Sequence, residues 1–540
     1  MLGSASDRFD LRSLLFIIVL TGTFLGTRLA SGETISVPGD FSTIQAAIDA
    51  STDGDIIEIA PGTYIENLQL SFKPVTLRGA GIDVTIIDGS GLTAGPTASQ
   101  TLRIIGNSGA AQATVEHLTL TGGTGTPQGT GLGGCLHVGN SRPILRHLKC
   151  NFGSAGEGAG ASIRPNGNGP YTISNCQFSD SDGEFGVGLS IRFSGDIVLE
   201  DCAFEGNEAT LSRGAVNVVA TNVTLRRCVF RDNAIVGSAG IGAAYSSIDT
   251  STLNQSIESV TFEDCDFIGN QAVSGGGAIV ANTPSLAIRD SRFVGNSAPF
   301  GAAIVLDGGG GGELVLERTV FHQNVATAGL IALSINNFDL SMDRCTVSQN
   351  FGSAGAVVAN GEATIRNSIF WANGFEPVES INSTPTIEYC IVEGGALGVG
   401  NLDLDPLFVD PASGDFSLLP GSPAIDAGDP AAPLDPDGTA IEIGAIPFVG
   451  PAFIRGDVNL DGAFDVSDPI AVFDTFFFSG TAFLCEAAVD GNDDEQIDLA
   501  DPIYLLNALF QGGPPPVAPN DCGTDPTPGL SCEVASLGCE

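Results

Sequence analysis

Apolar and polar positions alternate in this chain over only four or five residues at a time, and then the alternation slips. In VTLRRCVF, 223–230, Val223 and Leu225 are two apart, as are Cys228 and Phe230, but Leu225 and Cys228 are three apart. Strand side chains repeat every second residue, so the slip predicts two short strands joined by a bend just before the cysteine. In other copies that bend falls at Asn175, Asp201, Asp264, Asp290 and Asn367, residue types that tolerate left-handed backbone best after glycine. Arg227, Arg318, Arg344 and Tyr389 depart from the preference. No 3.6-residue apolar period accompanies the pattern, so the repeating unit is not a helix pair.

The phrase recurs at Cys150, Cys176, Cys202, Cys228, Cys265, Ser291, Thr319, Cys345, Ser368 and Cys390, at steps of 26, 26, 26, 37, 26, 28, 26, 23 and 22 residues. A fixed period in this range marks a solenoid. A unit of about 26 residues holding three short strands is one turn of a right-handed parallel β-helix, in which turns about 4.8 Å apart stack equivalent side chains into ladders. Asn207, Asn233, Asn270, Asn296, Asn324, Asn350 and Asn373 predict the clearest ladder. The cysteine column reads as a buried stack of small apolar thiols, with a metal or redox ladder as the alternative. Side chains at that spacing stand too far apart for a relaxed disulfide.

Along the chain, residues 1–32 read as a secretory signal. Arg8 and Arg12 precede the apolar LLFIIVL (14–20), and Ala30, Ser31 and Gly32 offer a small-x-small cleavage site. A retained anchor is the alternative. STIQAAIDAS (42–51) predicts a short helix capping the first coil. The step of 37 after Cys228 predicts an insertion near 246–258, and the five glycines 308–312 a flexible loop. Residues 402–448 close the solenoid, and 447–451 form a junction. The expected domains are therefore a signal (1–32), a β-helix (33–450), a small module (451–513) and a Cys/Pro-rich tail (514–540).

Of 540 residues only two are lysine, Lys73 and Lys149, and the net charge is −42. Nucleic-acid binding through a basic footprint is thereby excluded, and cations are the natural small partners. After residue 30 no apolar run of about 20 residues occurs, so no later segment is expected to span a membrane.

The strongest chemical signal is DVNLDGAFDVSD (457–468). Asp457, Asn459, Asp461, Ala463 (through its carbonyl), Asp465 and Asp468 fall at positions 1, 3, 5, 7, 9 and 12 of a twelve-residue calcium loop, with Gly462 at the sharp turn. DGNDDEQIDLAD (490–501) repeats it with Asp490, Asn492, Asp494, Gln496, Asp498 and Asp501, but Glu495 replaces the turn glycine, which predicts a weaker second Ca2+ site. Helices are expected over 469–480 and 502–513, with Pro469 and Pro502 in their first turns. Cys485, Cys522, Cys532 and Cys539 are expected to form disulfides, with three pairings open.

Several stretches resemble known families. The F-x-x-N phrase alternating with GGGAI (275–279) resembles the repeats of polymorphic outer-membrane proteins, β-helical surface adhesins. Residues 37–70 and 405–430 are similar to the first and last coils of pectin-lyase-like β-helix proteins. The duplicated loop–helix resembles a type I dockerin, which implies folding on calcium and docking to a cohesin-like partner. In that family loop positions 10 and 11 help choose the partner, usually with small hydroxyl residues. Here they are Val466 and Ser467, then Leu499 and Ala500, so a standard cellulosomal partner is not implied.

For the solenoid, aligning LSIRF (189–193) with other coils predicts an outward column of His137, Arg164, Arg192, Asn217 and Tyr245, turning apolar at Val280, Val305, Ala332 and Val358. Asp180, Asp182 and Glu184 lie nearby in sequence. Arg192 and Arg164 beside Asp180 and Asp182 are the candidate catalytic residues of a calcium-dependent polysaccharide lyase. A glycan-binding face and an ordinary solvated face are the alternatives. No GHG or R-x-K arrangement of the polygalacturonase kind occurs. Cys135 and His137 are expected to share the outward face, but two ligands do not make a zinc site. The expectation is a secreted or cell-surface, calcium-binding β-helix protein that binds glycans or partners along its length and docks, or is merely stabilised, through its dockerin-like module. The alternative is a polysaccharide-degrading lyase or glycoside hydrolase of an extracellular assembly.

Overall fold

The computed structural model describes residues 32–540 except 91–99, 107–111, 126–130, 168, 194, 238–239, 248–256, 328–332, 353–356, 374–377, 381–383, 436–438, 481, 525–529, 531, 533 and 540. The expected signal segment and the core of the 246–258 insertion lie outside the described residues.

The rod is a right-handed parallel β-helix. Strands of successive coils pair parallel and in register: Ile197, Val223, Val260, Leu286, Leu314, Leu340 and Ala363 form one file, coil over coil. Inward side chains build a continuous aliphatic core. Beside it Phe178, Phe204, Phe230, Phe267, Phe293 and Phe321 stack with ring centroids 4.5 to 5.3 Å apart.

Two left-handed corners per coil flank the short cysteine strand. The residue before the cysteine position has φ between 45° and 55° from Asn175 to Tyr389, and the residue before the asparagine is left-handed too, as at Gly206, Asp232, Gly269 and Gly295. Arg227 and Arg318 adopt the same corner without the Asx advantage. Each is held by an ion pair to the Asx residue one coil back, Asp201 and Asp290 respectively. Exposed pairs of this kind contribute little. The corner is therefore fixed mainly by the inward packing of the neighbouring cysteine and phenylalanine, which leaves the chain no other path.

The asparagines stand in single file. Asn207, Asn233, Asn270, Asn296, Asn324 and Asn350 each donate from Nδ2 and from the backbone N–H to Oδ1 of the asparagine in the next coil, ending on Asn373. Every Nδ2 also donates to a carbonyl one coil back, Phe230 O for Asn270. Six of the seven side chains are at most 1% exposed, so the file is dry and internally satisfied.

Two expectations are corrected. Cys150 is not in the cysteine column: it pairs with Phe178, and Leu148, after the left-handed His147, takes the cysteine position. The step of 26 from Cys150 to Cys176 is thus a coincidence of sequence. The glycines 308–312 are not a loop but part of strand Ile304–Glu317, whose register slips between Asp307 and Gly312. This strand covers both Ile279–Ala281 and Ser285–Arg289 of the coil below, so it must turn their corner unbroken. A Cβ at Gly312 would stand 2.4 Å from the Phe338 ring. The closing segment starts against the last coil, where Leu402 pairs with Ile391, and runs back along the rod's flank. Its hairpin, Phe408–Asp410 with Asp415–Leu418, packs Phe408, Phe416 and Leu418 over Val320, Ile369 and Ile391.

At the other end helix α1, Ile44–Ala50, caps the first coil as expected. Thr43 Oγ1 accepts from Ala46 N, and Ile44, Ala47 and Ile48 are buried. The eight free cysteines are all buried. Burial pushes the thiols of Cys135, Cys345 and Cys390 up to about 12, which fits inert filling of the core.

Asn270→Ala removes both donors and the acceptor of one rung, leaving Phe230 O and two donors of Asn233 unpaired in a dry interior. It is expected to lower stability by about 2–4 kcal/mol in chemical denaturation, and Asn373→Ala at the ladder's end by less.

Candidate functional site

The outward side chains of the rod fall in two columns rather than one. The first runs Arg103, His137, Ser162, Ser190, Asn217, Ser246, Val280 and Val305, and from Ser162 to Val280 it is buried rather than open to solvent. Arg164 and Arg192 stand two residues farther along their strands, next to Ile163 and Ile191, which pair. Tyr245 is not outward: it pairs with Val216 and is buried in the core. Cys135 is also in the core, and Ala332 lies outside the described residues. Skipping two residues keeps side-chain parity, so an alternation pattern cannot distinguish the two columns.

Arg164 and Arg192 converge on Glu157, a residue that sequence alignment passed over. Glu157 ends the strand Ser154–Glu157, and its Oε1 accepts from Arg192 Nε at 3.0 Å and from Ser190 Oγ at 2.7 Å. Arg164 Nη2 lies 3.5 Å from Oε2. Burial pushes the Glu157 carboxyl upward, but the Ser190 and arginine contacts prevail and hold it below the usual range. His137 is pushed down to about 4, by burial first and then by Arg103 and Arg164. Its ring is therefore neutral at pH 7, with Nδ1 buried and without a partner among the described residues.

The two expected aspartates stand elsewhere. Asp182 Oδ2 accepts from Ser154 Oγ at 3.1 Å. Asp180 sits at a left-handed corner, lining a polar groove with Lys149, Glu205, Arg231 and Asp232 on the outer side of the cysteine strands. The four-residue constellation of Arg164, Arg192, Asp180 and Asp182 is thus not assembled. What is assembled is a pair of arginines, Arg164 and Arg192, over one carboxylate, with Arg103 acting on the neighbouring His137. Other arginines are balanced: Arg226 and Arg227 face Glu200, Asp201 and Glu263.

The second candidate lies in the C-terminal module. Its helices are α2 (Ser467–Asp474), continued by a π-helical turn Thr475–Ser479, α3 (Glu486–Val489) and α4 (Ala500–Phe510). The two long helices begin two residues earlier than expected, inside the loops. The loops repeat much of each other's bonding, but Asp468 Oδ1 accepts from Val458 N and Asn459 N whereas Asp501 Oδ1 has no partner among the described residues. Asp457 Oδ1 and Oδ2 accept from Asp461 N and Gly462 N, as Asp490 does from Asp494 N and Glu495 N. Asp468 Oδ2 accepts from Asp465 N, as Asp501 Oδ2 does from Asp498 N. Glu495 takes the left-handed turn at φ 64°.

Asn459 and Asn492 each donate from Nδ2 to the aspartate two residues on, Asp461 and Asp494. Ala463, Asp465, Gln496 and Asp498 keep their expected places along the loops. Among the described residues no three His, Cys, Asp or Glu side chains converge closely enough to hold an ion as they stand. Yet Asp457, Asp468, Asp490 and Asp501 are at most 1% exposed. Burial raises Asp468 to about 6 and Asp501 to about 7, and Asp501 Oδ1 is buried without a partner. Buried carboxylates with an orphaned oxygen are the donor set a hard divalent cation requires, so these residues fit calcium.

Residues 514–540 are not a separate tail. Disulfides Cys485–Cys532 and Cys522–Cys539 form, and Gly523 pairs antiparallel with Phe453 at the module's start.

Residues 103–293 match the family described as "Right handed beta helix region". A probable pectinesterase/pectinesterase inhibitor 17 of Arabidopsis thaliana is 46% identical over 61 residues, which is 11% of this chain and 12% of that protein. The solved structure of pectate lyase Pel9A aligns over 77% of this chain and 96% of its own, at 14% identity and a TM-score of 0.33. A pectin methylesterase from Aspergillus niger aligns over 66% of this chain and 91% of its own, at 17% identity and a TM-score of 0.24. This chain is a right-handed parallel β-helix protein. No helix among the described residues is long and apolar enough to cross a membrane.

A group whose folded pKa is raised contributes stability below its unfolded pKa and loses it as pH climbs through the folded value. For Asp468 and Asp501 that window runs from about 4 to about 7. In metal-free buffer the module is therefore expected to melt at a higher temperature at pH 5 than at pH 8, as followed by helical circular dichroism.

Proposed function

We propose that this is a secreted, calcium-binding rod that holds an anionic glycan on its arginine patch and is anchored through its C-terminal module. The observation that carries the reading is the convergence of Arg164 and Arg192, from successive coils, on the single carboxylate of Glu157, in a chain whose net charge is −42. Guanidinium groups pair bidentately with carboxylates, and successive coils about 4.8 Å apart offer them in a row. A polymer bearing carboxylates at regular intervals is the ligand class that such a row fits. The short likeness to a pectinesterase supports a carbohydrate ligand.

In the module, Asp457, Asn459, Asp461, the Ala463 carbonyl, Asp465 and Asp468 would hold one calcium ion. Asp490, Asn492, Asp494, Gln496, Asp498 and Asp501 would hold the second. Bound calcium supplies the positive charge that the buried carboxylates lack. The duplicated loop–helix supports a dockerin-like anchor with a cohesin-like partner. Val466 and Leu499 are exposed at equivalent places in the two repeats, so the partner's contacting surface would be apolar.

A second reading, cleavage of the same polymer, is favoured by His137. It is neutral and adjoins the arginines, but its Nδ1 is buried, so it could serve a bound uronate as proton acceptor only through its other ring nitrogen. Without Asp180 and Asp182 at the patch, no calcium there would acidify the sugar, and binding remains the better supported reading.

Oligogalacturonate binding by calorimetry tests the proposal. The native chain is expected to bind the acidic oligomer, and more weakly as salt rises. The double variant Arg164→Ala/Arg192→Ala is expected to lose at least about tenfold in affinity. Equal binding of acidic and neutral oligomers would contradict it, and a rise in unsaturated-product absorbance would favour the lyase. Separately, chelating calcium is expected to lower the module's helical circular dichroism and calcium to restore it.

A further inference from the structure

One side chain reaches from the first acidic loop to the second. Arg455 is 1% exposed and begins two residues before Asp457, the first position of the first loop. Its guanidinium reaches the first turn of the second loop. Nη1 donates to Asp490 O at 2.8 Å and to Ala487 O at 3.1 Å, and Nη2 lies 2.9 Å from Asp493 Oδ1. Nε donates to Ala518 O at 3.1 Å, which ties in the C-terminal segment. The backbone adds a parallel tie, Gly456 N to Ala488 O at 2.8 Å.

The arrangement is one-sided. The loops repeat at an offset of 33 residues, and that offset places Ala488 where the first repeat has Arg455. A methyl group makes no polar contact, so the guanidinium tie runs from the first repeat to the second and has no counterpart in the reverse direction. Its targets are not incidental. Asp490 is the first ligand position of the second loop, and Asp493 sits at a left-handed turn, φ 60°, between the ligand positions Asn492 and Asp494. Fixing the Asp490 carbonyl and the Asp493 side chain fixes the backbone from which those ligands project.

We propose that Arg455 is a positioning residue that makes the two calcium sites cooperative. The proposal rests on the calcium reading of the loops. An ion in the first loop orders Asp457 and the residues leading to it, and so holds the guanidinium in place. The second loop's first turn is then already ordered when its ion arrives, and less conformational entropy is lost on binding. Linkage requires the same factor in the reverse direction.

Calcium titration of the full chain by calorimetry tests this. The native chain is expected to take two ions, and Asp501→Asn, which silences the second loop, is expected to weaken the first loop about tenfold. In an Arg455→Lys background the same substitution is expected to leave the first loop unchanged, because an ammonium cannot make the forked contacts. If Arg455→Lys prevents the module from folding, Asp493→Asn is used instead, which keeps the carbonyl contacts and removes only the ion pair; there the effect of Asp501→Asn is expected to fall to about threefold. Two ions bound independently by the native chain would overturn the proposal, as would coupling undiminished in the deciding variant. A native chain that takes no calcium would instead overturn the calcium reading itself.

Discussion

The structure depends on one constraint: equivalent residues of successive coils lie directly over one another, and the buried asparagine file enforces it. An asparagine side chain has two donors and an acceptor, and in a dry interior all must be met. Here each amide meets its neighbour's, the neighbour's backbone and a carbonyl one coil back. A coil displaced by one residue along its strands would orphan those groups and turn the aliphatic core outward. The file is thus less a source of net stability than a penalty on every other register. The stacked phenylalanines beside it add apolar burial but do not set the register so sharply.

That constraint explains how much could be read from the chain. The solenoid, its handed class, the asparagine ladder, the left-handed corners and the capping helix were legible because each repeats a local requirement at a fixed interval. Where the repeat is irregular, sequence misleads. Cys150 falls 26 residues before Cys176 but occupies the phenylalanine position, because Leu148 serves as well in the cysteine position. The 308–312 glycines resemble a loop, yet the lattice of neighbouring coils holds them in a strand. The arginine patch was half legible. Arg164 and Arg192 were found, but their partner Glu157 comes from a strand of low apolar content that carries no pattern. Asp180 and Asp182 are close in sequence only.

The module follows a different logic. What was legible there is the duplicated acidic pattern, and the structure repeats part of its internal bonding 33 residues on. The link between the loops was not legible, since nothing in the sequence around Arg455 marks a side chain that reaches 35 residues along the chain. Rod and module thus share one principle. A buried polar group, whether an amide or a guanidinium, fixes the relation between two copies of a repeat that apolar packing alone would leave free to slide.

Spin labels at positions 224 and 261 test the stacking most directly. Thr224 and Thr261 are 37 residues apart in sequence, separated by the longest step of the repeat, yet are parallel register partners. Their backbones should stand about 5 Å apart. The native cysteines are buried or disulfide-bonded and should not take the label. The account predicts strong dipolar broadening in the doubly labelled chain. A spectrum equal to the sum of the two single labels would contradict it.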